Sequence, residues 1–138
     1  MKKITVHILT FLGCFIFFGT SFVHAGGTVV ITNPVNGATV SSPVKVCMEV
    51  NDIEVEPAKN GINKGKGHHH LIINHDLPED ITQPIGKDLT HIHMGDGSAC
   101  KESIKLGSGK HIIRALFAQG NHVPFFPVIS STIFIEVE

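Results

Sequence analysis

The stretch "GKGHHHLIINH" at 65–75 carries four histidines in eleven residues, and "HIH" follows at 91–93. Imidazole titrates nearer neutral pH than any other side chain and is the commonest protein ligand for transition metals. In an extended strand, residues two apart share a face. His91 and His93 therefore point the same way, while Ile92 points into the opposite layer. His68 and His70 share one face and His69 takes the other, so the three cannot all serve one site. Either the 68/70 pair or His69 enters it. "GNHVP" (120–124) holds His122 in a turn bounded by Gly120 and Pro124, where a fixed loop can supply a further ligand. The candidate metal ligands are thus His91, His93, His68, His69, His70 and His122. An imidazole-rich set suits Cu(II), Zn(II) or Ni(II). The stability order of the divalent ions favours copper, with zinc as the alternative.

Three residues are secondary candidates. His111 opens a strand as "GKH", where its ring reaches the sheet end or merely caps it. Met94 follows "HIH" and offers a thioether for Cu(I), whereas Met48 reads as core. Asp96 in "HMGDGSAC" can ligate, orient an imidazole or solvate a turn, the turn being preferred. Gly95 and Gly97 beside it permit positive φ and hence a sharp reversal. His75 is set outside the site, next to Asp76 and a proline-containing loop. The competing reading has these rings packing and hydrogen bonding among themselves and to backbone carbonyls. Clustered imidazoles repel once protonated and would weaken the fold below about pH 6.5, a penalty that metal coordination relieves.

The elements that must position these rings are strands. Short apolar runs are separated by Gly, Pro, Asn and Ser: "TVVIT" (28–32), "VKVCMEV" (44–50), "HHLIIN" (69–74), "LTHIH" (89–93), "SIKL" (103–106), "HIIRALFA" (111–118) and "STIFIEV" (131–137). In the second run Val44, Val46, Met48 and Val50 share one face, and Lys45, Cys47 and Glu49 take the other. About seven to eight short strands with turn signals between them predict an all-β, immunoglobulin-like antiparallel β-sandwich, without the Cys–Trp–Cys signature of antibody domains. The polar, glycine-rich stretch 51–67 and the stretch 76–88, with Pro78 and Pro84, read as long connections.

The N-terminal segment has a separate meaning. Lys2 and Lys3 precede an apolar run from Ile8 to Phe18, and "VHA" ends at Ala25. This pattern predicts a secretory signal peptide, residues 1–25, cleaved after Ala25. Its apolar run is too short for a membrane anchor, and Cys14 lies too early for a lipoprotein signal. Residues 26–138 then form a single exported domain of 113 residues, with 9 basic and 12 acidic side chains. That balance offers no basic patch for nucleic acid. The chain has neither Trp nor Tyr, which counts against a sugar-binding surface or an antibody-like paratope. Cys47 and Cys100 survive cleavage. An even pair in an oxidising compartment is most simply a disulfide; two free thiols, or one soft copper ligand, are the alternatives.

At "GHHHLIIN…DLP", "HIHMGDG", "GKHIIRALFAQGNHVP" and the closing "STIFIEVE" the chain resembles a family of small exported bacterial domains known as domain of unknown function 4399. The family run of GHHHL, HxHxGxG, GKH and a His-Val-Pro-like turn falls here at Gly67–Leu71, His91–Gly97, Gly109–His111 and His122–Pro124. The resemblance extends from about residue 29 to the C-terminus. It implies the fold and an exported location, periplasmic or extracellular; no activity comes with it. Cys47 and Cys100 depart from the family pattern.

Three functions compete. The first is an exported metal-binding protein, for copper by preference, acting in storage, delivery or sequestration. The second is a copper or zinc enzyme of superoxide-dismutase type. That enzyme needs an open coordination position and a polar partner near the metal, and Asp96 is the one acid near the motif. The third is a structural or adhesive module whose histidines pack and respond to pH.

Overall fold

The alternation in Val44–Asn51 sets the architecture, because one face of that strand has to find an apolar partner layer. A computed structural model of the chain describes residues 26–138; the expected signal peptide, residues 1–25, lies outside the described residues. The described residues form nine strands, one 3-10 turn at Ala58–Asn60 and no α-helix. The strands are β1 (Thr28–Asn33), β2 (Thr39–Val40), β3 (Val44–Asn51), β4 (Glu54–Val55), β5 (Lys66–Ile73), β6 (His91–Met94), β7 (Cys100–Ile104), β8 (Gly109–Ala118) and β9 (Ser130–Val137).

They make two sheets. One has the order β1-β3-β7, and the other runs β2-β9-β8-β5-β4 with β6 also paired to β5. The orders β1-β3-β7 and β9-β8-β5-β6 match the A-B-E and G-F-C-C′ orders of an immunoglobulin-like sandwich. The pairing is antiparallel, as expected, except for the short pairs β2–β9 and β4–β5, which are parallel. The stretch 51–67, expected as plain connection, contains β4 and the 3-10 turn. β7 begins three residues earlier than its apolar run, because Cys100 pairs with Cys47 and Lys101 with Val46 on β3.

The core lies between the sheets. Val44, Val46 and Met48 of β3 face Leu71 and Ile73 of β5, Ile113, Ala115 and Phe117 of β8, and Ile133, Ile135 and Val137 of β9. Most of these strands alternate inside and outside; β5 does not. All of Gly67–Ile73 is buried, so both of its faces are covered. Leu71 and Ile73 face the core. Ile72 faces outward into a second apolar cluster with Ile85, Leu116 and Ala118, against which Leu77 and Val128 pack. The long connection 74–90 therefore folds back over the outer face of β5 and β8. A backbone hydrogen bond from Ile85 N to His122 O (2.9 Å) ties it to the turn after β8.

Cys47 sits on the outward face of β3, as the alternation requires, and is bonded to Cys100 directly opposite on β7. Their Cα atoms are 4.1 Å apart. The bridge thus joins neighbouring strands of one sheet, unlike the inter-sheet bridge of antibody domains. It closes a sequence separation of 53 residues that includes β4, β5 and β6. Denaturant titration of the Cys47→Ala/Cys100→Ala double variant is expected to show a loss of about 2–4 kcal/mol. Thiol titration of the unfolded, unreduced protein should find neither cysteine free.

Candidate metal centre

β5 and β6 bring the first three rings together. On β5, His68 and His70 point outward with Ile72, and His69 points inward with Leu71 and Ile73. On β6, His93 is paired across the ladder with His70. Directly opposed residues of an antiparallel pair have Cβ atoms about 4.5–5.5 Å apart, so the His70 and His93 rings lie side by side, with centroids 5.1 Å apart. The fourth ring comes from the turn after β8. His122 adopts a left-handed backbone (φ 67°), which its N–H to Gln119 O bond (2.8 Å) helps hold. Its ring then lies edge-on to those of His68 and His93, at centroid separations of 5.0 and 4.6 Å.

His68, His70, His93 and His122 each offer a nitrogen such that all four lie within 4.8 Å of one another, and the group can hold a metal ion. His68 Nε2 is 3.0 Å from His70 Nε2 and 3.1 Å from His122 Nδ1. His93 Nε2 is buried with no hydrogen-bond partner among the described residues. Two nitrogens that bind one tetrahedral ion at about 2.0–2.1 Å lie about 3.3 Å apart, close to these separations. Hydrogen bonding alone serves the group poorly. A neutral imidazole nitrogen carries either one hydrogen or one lone pair, so His68 Nε2 can make one full hydrogen bond, not two. A cation at the centre would accept all four lone pairs.

The protonation state fits a lone-pair donor set. Burial, followed by the charges of His93, His122 and His69, lowers the His68 pKa to about 4. Burial and the same neighbours, with His68 first among them, bring His70 to about 3. Burial, His122 and Lys87 lower His93, with Asp96 opposing. These three rings are neutral at pH 7. One feature departs from common metal-site practice, in which the far nitrogen of each ligating ring has its own partner. The Nδ1 atoms of His68 and His70 are buried without one among the described residues.

The expected candidates divide accordingly. His68, His70, His93 and His122 come together. His69 does not: it lies in the core, 0% exposed, edge-on to Phe117 at 5.2 Å, with neither ring nitrogen hydrogen bonded among the described residues. Burial lowers its pKa to about 4. His91 shares the outer face with His93, as expected, but its cross-strand partner is Ile72, and its Nδ1 turns to Asp88, 3.1 Å away. Met94 is buried in the same core cluster as Met48. Asp96 accepts hydrogen bonds from Ser98 N (3.0 Å) and Ser98 Oγ (2.7 Å), the turn role preferred for it. In His111, Nε2 donates to Gly107 O (2.8 Å), and Nδ1 is 2.9 Å from the Asn74 amide. Both of its nitrogens are thus engaged away from the cluster.

Sequence reasoning missed the role of Gly95. Gly97 has the positive φ (81°), whereas Gly95 supplies space: a Cβ there would fall on Cε1 and Nε2 of His93. A cleft of about 250 Å³, lined by His93, Met94, Gly95, Asp96, Ser98 and Lys101, meets the cluster at His93.

Among solved structures, the chain is similar to an engineered protein (13% identity, TM-score 0.47, 82% of this chain and 20% of that one). It is also similar to the endo-beta-1,4-mannanase from Thermotoga petrophila (16% identity, TM-score 0.45, 86% and 21%). The chain spans about a fifth of the length of each. No curated protein matches it significantly. The model of one family, domain of unknown function (DUF4399), matches residues 46–138, a span that includes all four converging histidines, the Gly95 turn and strands β4 to β9. The chain belongs to the DUF4399 family.

Proposed function

We propose that the protein is an exported metal-binding protein whose ion is held by Nε2 of His68, His70 and His93 and Nδ1 of His122, with copper the preferred metal and zinc the alternative. The observation that carries this reading is the convergence of four imidazole nitrogens that no set of hydrogen bonds among themselves can satisfy. Copper is preferred because an all-nitrogen set follows the stability order of the divalent ions, in which Cu(II) exceeds Zn(II). The disulfide and the leader-like segment 1–25 support an oxidising compartment, periplasmic or extracellular, and cleavage after Ala25. Among the described residues no helix is long and apolar enough to cross a membrane. Storage, delivery or sequestration suits the site better than catalysis, because four imidazoles fill the positions of a tetrahedral ion, whereas a catalytic site keeps one open.

Elemental analysis of natively exported, untagged protein tests the proposal directly. Copper or zinc should co-purify, and the metal-stripped protein should rebind one tight equivalent. A protein that takes up neither metal at micromolar concentration overturns the reading. His93→Ala and His122→Ala should weaken the tight equivalent by more than the roughly 10–100-fold typical of losing an outlying partner. His111→Ala, whose ring clasps Gly107 and Asn74, should leave it unchanged. Gly95→Ala places a methyl on the His93 ring without demanding a forbidden backbone angle. It should weaken binding about 10–100-fold while the far-ultraviolet circular dichroism stays that of the parent.

The pH dependence has a definite sign. In the unfolded chain the rings take protons near pH 6.5, whereas His68 and His69 resist to about 4 and His70 to about 3 when folded. Between those values the unfolded state binds more protons, so acid favours unfolding. The unfolding midpoint of the metal-free protein should be highest above about pH 6.5 and fall steadily toward pH 4. Metal at a hundred times its neutral-pH dissociation constant should add about 2.7 kcal/mol at neutral pH, and at that metal concentration the increment should shrink as acid protonates the folded ligand rings, toward about pH 4 for His68.

A further inference from the structure

His91, excluded from the four-ring cluster, stands beside another histidine. Its ring centroid is 5.6 Å from that of His75, with the planes at 33°. The pair lies on the same outer face as the cluster, beyond Ile72, which is the cross-strand partner of His91. The geometry points to a second cation site here, in which His75 and His91 bind one soft or borderline ion such as copper or zinc and Asp88 orients the His91 ring.

Ring separation is the first argument. An ion about 2.0–2.1 Å from a ring nitrogen lies about 3.2 Å from the ring centre, so centroids 5.6 Å apart correspond to a ligand–ion–ligand angle near 120°. The four-ring cluster itself has centroid separations between 4.6 and 5.8 Å. The tautomer of His91 is the second. Its Nδ1 lies 3.1 and 3.2 Å from the two Asp88 carboxylate oxygens and 3.1 Å from Thr90 Oγ1. The Thr90 hydroxyl donates its own hydrogen to Asp88 Oδ1 (2.7 Å), so it faces His91 as an acceptor. Every partner of Nδ1 is therefore an acceptor, which places the proton on Nδ1 and leaves the lone pair on Nε2. A carboxylate behind a histidine in this way fixes the ring and raises its basicity toward a metal. Asp88 is fixed in turn by the backbone N–H groups of Thr90 (2.7 Å) and His91 (2.8 Å).

His75 is anchored through its backbone. Arg114 Nη1 donates to His75 O (2.7 Å), and Arg114 Nη2 donates to Asp76 Oδ1 (2.8 Å). This arrangement satisfies the Arg114 charge with Asp76 and leaves the His75 ring free of hydrogen bonds among the described residues. His75 is exposed and the His91 side chain is 24% exposed, so an ion reaches the pair without any opening of the fold. Two protein ligands and a solvent-facing position make this the weaker and faster-exchanging of the two sites.

The test is a Zn(II) titration of the untagged, metal-stripped protein, followed by nitrogen-15 resonances of the histidine rings. The expected result is two steps. The first moves His68, His70, His93 and His122; the second moves His75 and His91, with His91 Nε2 shifting to a metal-bound position and Nδ1 keeping its proton. His75→Ala and His91→Gln should each abolish the second step and leave the first intact. Asp88→Asn should weaken the second step about 10–100-fold and spare the first. A second step that moves neither ring, or that survives His75→Ala, overturns the proposal. The pair does not depend on the cluster: loss of the first step with the second retained would defeat the four-histidine reading and support this one.

Discussion

The structure depends on burying β5 on both faces. Three consecutive imidazoles then lie where water does not reach, with His68 and His69 0% and His70 1% exposed. Burying a polar group without a partner costs roughly 1–3 kcal/mol on protein scales. The outer pair, His68 and His70, meets two further rings, and shared lone pairs aimed at one point make a cation the natural counterpart. The inner ring, His69, meets Phe117 and no hydrogen-bond partner among the described residues. The same strand thus carries both the candidate site and an unpartnered polar group in the core. The apolar sheet interface, with Phe117, Leu71, Ile113 and Val46 fully buried, has to offset both.

That double burial is also why two connections are long. A strand with one wet face would need only a hairpin to reach its neighbour. Here residues 74–90 have to return across the outer face, with Ile85 and Leu77 set on Ile72 and Leu116. The turn at 119–124 has to close over the remaining end. The hydrogen bond from Ile85 N to His122 O joins the cover of the apolar half to the backbone of the ring that completes the histidine half. A change in the packing of Ile85 therefore acts on the position of His122.

Much of this was legible in the sequence. The period-two alternation of Val44–Val50 fixed the orientation of β3, and with it the outward position of Cys47. Split facing of His68, His69 and His70 followed from the same rule. The partner of β5 did not follow from it. Alternation tells which face a residue occupies, and sequence alone does not reveal the register between strands. His91 and His93 are indeed on one face, but the ladder sets His93 against His70 and His91 against Ile72. The ring of His91 therefore found Asp88, three residues upstream, in place of the cluster. His122 was suggested by its turn, where Gly120 and Pro124 restrict the chain, although nothing local indicated which nitrogen would face inward.

Glycine shows the same limit in another form. "HMGDG" reads as a reversal needing positive φ, and Gly97 uses that freedom (φ 81°). Gly95 lacks it and is instead required by the ring two residues before it. The tight turn after β6 thus does two things at once. It sends the chain across to β7, where Cys100 meets Cys47, and at position 95 it leaves the His93 ring clear of a side chain. Asp96 stabilises that turn through Ser98 and contributes to the site only at a distance, by opposing the downward shift of the His93 pKa. The cleft that meets the cluster at His93 is therefore lined by a glycine, a carboxylate and the half-buried imidazole itself. Of these, the imidazole offers an ion the lone pair of a buried nitrogen, and the carboxylate offers those of Oδ2, since both Ser98 bonds fall on Oδ1.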